Sequence, residues 1–235
     1  MLREYLLGVW YEAEELNQRA IISLLEPGID TVLDLGCNDG SFTERIAGEI
    51  GARNALGVEI DTDRARTARD RGITVTEADL ERPLPLEDET ADAITVNQVI
   101  EHLKNTDNMI SEAMRLLRPG GLLVISTENL SSWHNIFSII LGWQPFSLTN
   151  ISDRRMGIGN PLALHRGNTG VSRYMQHRRV FSPRGLAELI EIHGFQVESL
   201  KGAGYFPLGG RPARALNAID TRHSSFMTIR GRKPA

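Results

Sequence analysis

Residues 34–40 combine a carboxylate with a glycine-bounded turn, a pattern suited to holding a small ligand. Residues 32–35 form a short apolar run, typical of a strand that is buried on both faces. Gly36 and Gly40 bound the following turn, where the backbone can approach a ligand and the positive end of the next helix can face it. The Asp34 carboxylate would repel a pyrophosphate and favour a cationic ligand. The alternative is an ordinary strand-to-helix turn.

A second carboxylate, Glu59, ends the apolar run of residues 54–60, about 20 residues after the glycine turn. A carboxylate at the carboxyl end of a strand can accept hydrogen bonds from both hydroxyls of a ribose. We therefore predict that Glu59 binds a nucleoside, with a simple helix-start charge as the alternative. Asp61 is predicted to cap the helix over residues 62–71.

The spacing of the turn does not match G-x-G-x-x-G. It resembles motif I of the class I S-adenosylmethionine-dependent methyltransferases, D-x-G-x-G-x-G, with Asn38 at the middle glycine. Asparagine tolerates the positive φ that such a position requires. The resemblance implies S-adenosylmethionine as cofactor, Glu59 on its ribose and Asp79 on its adenine. The implied cofactor-binding set is Asp34, Gly36, Cys37, Asn38, Gly40, Phe42, Glu59, Ile60, Asp79, Leu80, Asn97 and Gln98.

Glu101 and His102 follow the fourth predicted strand, at the sheet edge where acceptor chemistry would begin. They resemble the E-H-L and E-H-V pairs of small-molecule O-methyltransferases, including ubiquinone-type enzymes, in which E-x-x-E-H can hold a divalent metal. Gln98 stands at the first glutamate. Because a neutral amide is a weaker ligand for a hard cation than a carboxylate, we predict no metal. His102 is either a general base or a structural hydrogen-bond donor.

The elements that position these residues alternate between helix and strand. Apolar residues at three- and four-residue steps predict an N-terminal helix within residues 1–27. Its Tyr5, Trp10 and Tyr11 either contact ligand or anchor the helix. The alternation continues to residue 127, and the R-P-G-G turn before the fifth strand is a further match to the family.

These elements predict an α/β fold with a doubly wound, mostly parallel sheet, and the resemblance implies seven strands in a Rossmann-like methyltransferase fold with the last strand antiparallel. Ser41, three residues before Glu44, is predicted to form a capping box for the helix after the glycine turn. We expect one methyltransferase domain over residues 1–235.

Regular patterns fail over residues 128–180, apart from an apolar helix near residues 133–141. Because such long irregular segments in compact domains are usually functional, we predict an inserted lid over the acceptor site. His134, His165 and His177 are candidate acceptor contacts, each with a packing or surface role as the alternative.

Residues 177–182 resemble the H-x-R-x-F-S start of the next helix in bacterial methyltransferases. His177 and His102 are our candidate catalytic residues, because an O-methylation that removes a proton needs a base.

The charge is distributed unevenly. Residues 1–150 contain 12 Lys and Arg against 25 Asp and Glu, a net charge of −13, whereas residues 151–235 contain 14 against 5, a net charge of +9. A positive surface attracts anions, which predicts an anionic small-molecule acceptor. The alternative is that Arg173, Arg178, Arg179 and Arg184 pair with the acidic half of the chain.

These patterns together predict methyl transfer from S-adenosylmethionine to a small anionic acceptor, by O-methylation of a hydroxyl. The alternatives are a carboxyl methyltransferase and a non-catalytic S-adenosylmethionine-binding regulatory module. A nucleic-acid methyltransferase is disfavoured by the pI of 5.9 and by the lack of an N-P-P-Y-like tetrad at residues 97–100.

The single cysteine excludes an internal disulfide, and no charged and apolar leader begins the sequence. The longest apolar run, residues 136–141, is too short to span a bilayer. We therefore predict a cytoplasmic protein with neither a membrane nor a nucleic-acid partner. These features are compatible with a homodimer.

Overall fold

Seven strands form one sheet in the computed structural model, which describes residues 2–169 and 173–235. The strands are β1 (Thr31–Leu35), β2 (Asn54–Glu59), β3 (Thr74–Glu77), β4 (Ala91–Asn97), β5 (Leu117–Glu128), β6 (Gln196–Ala203) and β7 (Phe226–Arg232). Their order is β3-β2-β1-β4-β5-β7-β6. Strand β7 runs antiparallel to β5 and β6, while the other neighbouring pairs are parallel. The predicted fold class is confirmed.

Helices cover both faces of the sheet. They are α1 (Leu2–Ile22), α2 (Ser41–Ile50), α3 (Thr62–Asp70), α4 (Thr106–Leu116), α5 (Trp133–Ile140), α6 (Pro183–Glu191) and α7 (Gly210–Ile219). Successive residues of a strand point to opposite faces, so Val32 packs in a cluster with α1 and α2 while Leu33 packs in a cluster with α4 and α6. This burial on both faces explains the continuous apolar runs of the central strands.

The capping box predicted at Ser41 is wrong. Gly40 is the N-cap of α2, with φ 77°, and Ser41 is the first helical residue. The Ser41 backbone N–H and hydroxyl both donate to Asp39 Oδ1, at 3.1 and 2.7 Å. The left-handed conformation of Gly40 starts the helix one residue earlier than a serine cap would require.

Two other local predictions can be compared with the structure. The Asp61 cap of α3 is confirmed, because its carboxylate accepts the first free backbone N–H groups of that helix, from Asp63 and Arg64. Residues 118–121, predicted as a turn before the fifth strand, lie inside β5 instead. They form a bulge there, since the pairing with β4 moves from Ala91–Leu117 to Ala93–Leu122.

The insertion between β5 and α6 leaves and rejoins the sheet at one point. Asn129 and Phe181 form a parallel bridge, and the Leu130 N–H donates to the Phe181 carbonyl at 2.9 Å. Residues 170–172 of the insertion lie outside the described residues. Within the described parts of the chain, no helix combines the length and the apolar character needed to cross a membrane.

Candidate active site

A cavity of about 840 Å³ lies beyond the carboxyl ends of β1, β2 and β4. Its wall comes from the β1–α2 turn, the ends of β2 and β4, helix α1 and the insertion. Eleven of the twelve residues in the predicted cofactor set line it, and so do His102 and His177. A cavity of this volume suits a nucleoside cofactor together with a small acceptor.

Glu59 fastens the glycine turn to the start of α3. Its Oε2 accepts the Asn38 N–H at 2.9 Å, and its Oε1 accepts the N–H groups of Ile60 and Asp61, both at 2.9 Å. Asn38 has φ 52°, which confirms that asparagine takes the left-handed position of the turn. Because each carboxylate oxygen can accept about two hydrogen bonds, Oε2 keeps capacity for a ligand hydroxyl.

Asp34 is almost completely buried behind the turn. Its two oxygens accept the hydroxyls of Thr43 and Thr95, at 2.6 and 2.8 Å, which joins β1 to α2 and β4. Burial raises the pKa of Asp34, and these two hydrogen bonds oppose the shift. The carboxylate therefore positions the turn, and its predicted attraction for a cationic ligand stays a prediction.

Two residues of the predicted set, Cys37 and Gly40, have packing roles. The Cys37 thiol packs beside Ala68 and Ile73, and burial raises its pKa to about 12, so it stays a neutral thiol. Gly40 does not line the cavity. A Cβ at Gly40 would lie 2.8 Å from the Ala68 Cβ, so this glycine allows α2 to pack closely on α3.

Replacing Gly40 by Ala should therefore lower the free energy of unfolding by more than the ~1–2 kcal/mol cost of a left-handed alanine. Gly51→Ala is the matched control, because Gly51 has φ 73° and a Cβ there would meet nothing within 4 Å. Urea denaturation of both variants measures the difference. Equal losses would show that the approach of α2 to α3 contributes nothing.

Asn17 is a buried site residue that our sequence reasoning missed. It is 2% exposed, and its Nδ2 donates to Asn97 Oδ1 at 3.0 Å. Its Oδ1 accepts the hydroxyls of Ser126 and Thr228, at 2.7 and 3.1 Å. The signal was present, since Asn17 interrupts the apolar stripe of α1 between Ala13 and Ala20. This network fixes the orientation of the Asn97 amide in the cavity wall.

Gln98 offers the cavity an unpaired donor. Its backbone is left-handed, with φ 54°, and its N–H donates to the Ser126 carbonyl at 2.9 Å. The side-chain Nε2 is buried without a hydrogen-bond partner among the described residues. Since buried amides are almost always paired in folded proteins, this one suits a bound ligand.

The end of the cavity lined by residues 101–102 and 177–178, which we call the acceptor end, joins two distant parts of the chain. The Glu101 carbonyl accepts the N–H groups of Arg178 and Arg179, at 2.7 and 3.2 Å, which ties the end of the insertion to the 3₁₀ turn Ile100–His102. The rings of His102 and His177 consequently lie 4.9 Å apart, centre to centre. The structure thus brings together both residues predicted to be catalytic.

The two imidazoles have opposite electrostatic environments. Burial, with the nearby charges of His177 and Arg178, lowers the pKa of His102 to about 4. Burial also favours the neutral form of His177, but the carboxylates of Glu128 and Glu101 outweigh it and raise the pKa of His177 above its ordinary value. His177 is therefore the stronger base of the pair.

Hydrogen bonds set the tautomers of both rings. The Nδ1 of His102 lies 3.1 Å from the Gln176 carbonyl, and the Nδ1 of His177 lies 2.8 Å from the Ser147 carbonyl. A carbonyl can only accept, so each Nδ1 carries a proton. The lone pair of each neutral ring is then on Nε2, which makes no hydrogen bond to a described residue.

Glu101 is a buried carboxylate with both oxygens unpaired among the described residues. Burial raises its pKa to about 7, and the nearby charge of His177 opposes the shift. One ligand atom from each of Glu101, His102 and His177 lies within 4.8 Å of the others. Histidine and carboxylate are ligand types that a divalent ion accepts, but an ion held by Nε2 of His177 would leave that nitrogen unable to act as a base. The prediction of no metal, which rested on Gln98, stays a prediction.

Aromatic side chains form the other wall of the acceptor end. Trp10, Phe146 and Phe206 line the cavity, with ring centres 6.0 Å apart for Trp10 and Phe206 and 5.6 Å apart for Phe146 and Phe206. Of the three aromatic residues noted in α1, Trp10 alone reaches the cavity, and Tyr5 and Tyr11 are exposed outside it.

The three histidines of the insertion have different positions. His177 and His165 line the cavity, whereas His134 does not. His134 is buried against Phe146 and Phe206, and burial lowers its pKa to about 3. It therefore serves packing, the alternative that we had kept open.

The arginines near the insertion do not form one network with the acidic half. Arg179 donates to the carbonyls of Leu103 and Lys104, and Arg184 pairs with Glu188 in its own helix. Arg178 lines the cavity, is exposed, and has no ion pair within residues 2–169 and 173–235. The side chain of Arg173 lies outside what the structure describes. Arg178 therefore offers a guanidinium at the acceptor end.

Comparison with known proteins identifies the family. A methyltransferase domain family matches residues 9–200. This chain belongs to the methyltransferase domain family. The cofactor of this methyltransferase is accordingly S-adenosylmethionine, as the glycine turn predicted.

The relatives include proteins with and without a stated acceptor. Over 188 residues the chain is 27% identical to the mitochondrial ubiquinone biosynthesis O-methyltransferase of Rattus norvegicus, covering 76% of this chain and 48% of the rat protein. It is 28% identical over 194 residues to a probable S-adenosylmethionine-dependent methyltransferase of Mycolicibacterium smegmatis, covering 82% and 59%. The methyltransferase thus spans about half the length of the curated relatives it matches.

A solved structure shares the fold. The S-adenosylmethionine-dependent methyltransferase of Mesorhizobium loti superposes with a TM-score of 0.59 at 22% identity, covering 91% of this chain and 96% of the other. This likeness supports the seven-stranded Rossmann-like architecture of the methyltransferase.

Proposed function

We propose that this methyltransferase transfers the methyl group of S-adenosylmethionine to a hydroxyl of a small anionic acceptor, with His177 as general base. The observation that carries the proposal is the placement of His177 at the acceptor end, where the carboxylates of Glu128 and Glu101 raise its pKa. The O-methyltransferase activity named for the rat relative supports the same type of reaction.

The cofactor is proposed to lie across the carboxyl ends of β1 and β2. Glu59 Oε2 would accept one ribose hydroxyl, and Asp79, which lines the cavity near the end of β3, would accept the adenine amino group. The free Nε2 of Gln98 and the amide of Asn97 would donate to the amino-acid part of the cofactor. These assignments use the same residues that the sequence pattern indicated.

S-Adenosylmethionine supplies a methyl group on a positively charged sulfur, a leaving group that needs no activation. The work of the chain is to hold the acceptor oxygen in line with that methyl group and to exclude water. We propose that residues 128–180 act as the lid that does this, with Phe146 and Phe206 forming the dry wall. Nε2 of neutral His177 would accept the acceptor's proton, and Glu128 and Glu101 would stabilise the resulting imidazolium.

Arg178 is proposed to bind the anionic group of the acceptor. Its guanidinium is positively charged, whereas the Glu101 and Glu128 carboxylates at the same end would repel an anion. Replacing Arg178 by Met should raise KM for an acidic acceptor roughly 10-fold, with kcat nearly unchanged. Steady-state kinetics on the identified acceptor checks this. Arg184→Met is the control, because Arg184 pairs with Glu188 on the surface of α6. An unchanged KM in Arg178→Met would contradict an anionic acceptor at this position.

The function itself is tested by a panel of phenols, hydroxy acids and carboxylic acids, with release of S-adenosylhomocysteine as the readout. We expect turnover with a hydroxyl compound that carries an acidic group. Tight binding of S-adenosylhomocysteine with no turnover across the panel would support the regulatory module instead. Turnover restricted to carboxylic acids without hydroxyls would support the carboxyl methyltransferase.

A further inference from the structure

Helix α5 is folded with its polar side inward. His134, Asn135 and Ser138 are buried, while Phe137 and Ile140 are 57% and 72% exposed. A helix on the surface of a domain normally buries its apolar stripe and exposes its polar one. The reversed arrangement leaves an apolar helix face that residues 2–169 and 173–235 do not cover.

Hydrogen bonds hold α5 in this orientation. The Asn135 Nδ2 donates to the Asn129 carbonyl at 2.9 Å and to the Ser147 hydroxyl at 2.8 Å. The Ser138 hydroxyl accepts the Asn160 Nδ2 at 3.2 Å. Turning the apolar face inward would break these buried bonds, so the exposed face is a fixed feature of the fold.

The exposed residues of α5 form one continuous patch, which we call the α5 face. Trp133, Phe137, Ile140 and Leu141 follow the i, i+4, i+7, i+8 spacing of one side of a helix, and Ile139 is 55% exposed next to them. Contiguous exposed apolar patches of this kind mark interaction sites. The α5 face has no charged side chain of its own, because residues 129–152 contain no Asp, Glu, Lys or Arg.

Helix α7 and the turn after it, which together carry three arginines, meet the start of the α5 face through Asp220 and His223. The Trp133 Nε1 donates to Asp220 Oδ2 at 3.0 Å, and its ring lies 4.6 Å from that of His223, so the end of α7 contacts the start of α5. The exposed residues in and after α7 include Arg211, Arg214, Ile219 and Arg222. Within the described residues these three arginines form no ion pair.

We propose that the α5 face and these arginines dock the methyltransferase on an anionic lipid surface. Aromatic and aliphatic side chains on one side of a helix, with arginines nearby, are the combination that binds a membrane interface, where apolar burial and attraction to anionic headgroups add together. A second copy of the chain suits this face less well. A twofold contact would bring the arginines of both copies close to one another.

This proposal concerns a helix lying in the plane of the interface. The prediction of no membrane partner rested on the absence of a spanning run, which does not bear on such a helix. The inner side of α5 contacts the acceptor end, since the His134 ring lies 5.4 Å from the rings of Phe146 and Phe206. A lipid surface on the α5 face would therefore be separated from the aromatic wall of the cavity by helix α5 alone.

The test is sedimentation of the full chain with vesicles of phosphatidylcholine alone and of equal parts phosphatidylcholine and phosphatidylglycerol. We expect binding to the mixed vesicles that weakens with salt. The double variant Phe137→Ser/Ile140→Ser should bind them about 10-fold or more weakly, because two of the inserted side chains are lost. The pair Arg214→Gln/Arg222→Gln should weaken binding to mixed vesicles most at low salt.

Ile192→Ser is the matched control. Ile192 is 76% exposed at the end of α6, near the amino end of β6, whereas α5 follows the carboxyl end of β5, so the two sites lie at opposite ends of the strands. Unchanged affinity for S-adenosylhomocysteine in each variant shows that it folds. Wild-type protein that stays in solution with mixed vesicles, or a double variant that binds as well as wild type, would overturn the proposal. Self-association that the double variant abolishes, without vesicle binding, would assign the face to a dimer.

Discussion

Replacing His177 by Gln is expected to lower kcat by about 10²–10⁴-fold while the affinity for S-adenosylhomocysteine stays nearly unchanged. The glutamine can occupy the same space, but it cannot take the proton of the acceptor hydroxyl. The nearby Glu128 and Glu101 would then have no imidazolium to stabilise. Release of S-adenosylhomocysteine under saturating acceptor gives kcat, and calorimetric titration gives the affinity.

Substitutions at two further histidines test whether the loss of kcat is specific to His177. His102→Gln should cost less in kcat, because burial holds the pKa of His102 near 4 and makes it a weak base at neutral pH. His193→Gln should change nothing, since His193 lies at the end of α6 and contacts Asp107 away from the cavity. If His102→Gln lost more than His177→Gln, the roles of the two rings would be exchanged.

The pH profile gives the same prediction a second readout. His177 acts as a base only when neutral, and its pKa is raised, so kcat should rise with pH and level off above the ordinary histidine range. Glu101→Gln removes one of the carboxylates that raise this pKa, which should move the rise to lower pH. A kcat that is flat from about pH 5.5 to about pH 9 would exclude the base and favour carboxyl methylation.

The sequence was informative where the signal is local. The apolar runs and their alternation with helices predicted the sheet, since each strand buried on both faces must be apolar along its whole length. The left-handed Asn38 and the Asp61 cap depend on residues within a few positions, and both were predicted correctly. The motifs of the cofactor set lie within a few residues of strand ends, which is a local signal as well, and nearly all of these residues line one cavity.

The sequence was uninformative where distant residues meet. The pairing of His102 with His177 joins positions 75 apart through backbone bonds of Glu101 to Arg178 and Arg179, and no local pattern specifies these bonds. The orientation of α5 depends equally on tertiary contacts. Its periodic apolar residues predicted a helix correctly, but the polar residues between them decided which side is buried.

Replacing Glu59 by Ala is expected to weaken S-adenosylhomocysteine binding by roughly 10- to 100-fold. The reason is the loss of one charge-assisted hydrogen bond to the ribose, worth about 1.5–3 kcal/mol. Asp79→Ala should weaken binding less, because Asp79 would contribute to the adenine end alone. Calorimetric titration of both variants measures the order. An unchanged affinity in Glu59→Ala would remove the ribose assignment.

The structure gives Glu59 a second role that this experiment must separate from the first. The same carboxylate holds the backbone N–H groups of Asn38, Ile60 and Asp61, so alanine would also loosen the glycine turn. A ligand without the ribose hydroxyls distinguishes the two effects, in the manner of a double-mutant cycle. If Glu59 binds the ribose, the dideoxy analogue of S-adenosylhomocysteine should bind wild type far more weakly than the parent ligand does, whereas Glu59→Ala should bind both almost equally. If the variant still discriminates between the ligands as wild type does, its loss of affinity comes from the loosened turn, and the ribose hydroxyls must be held by another group.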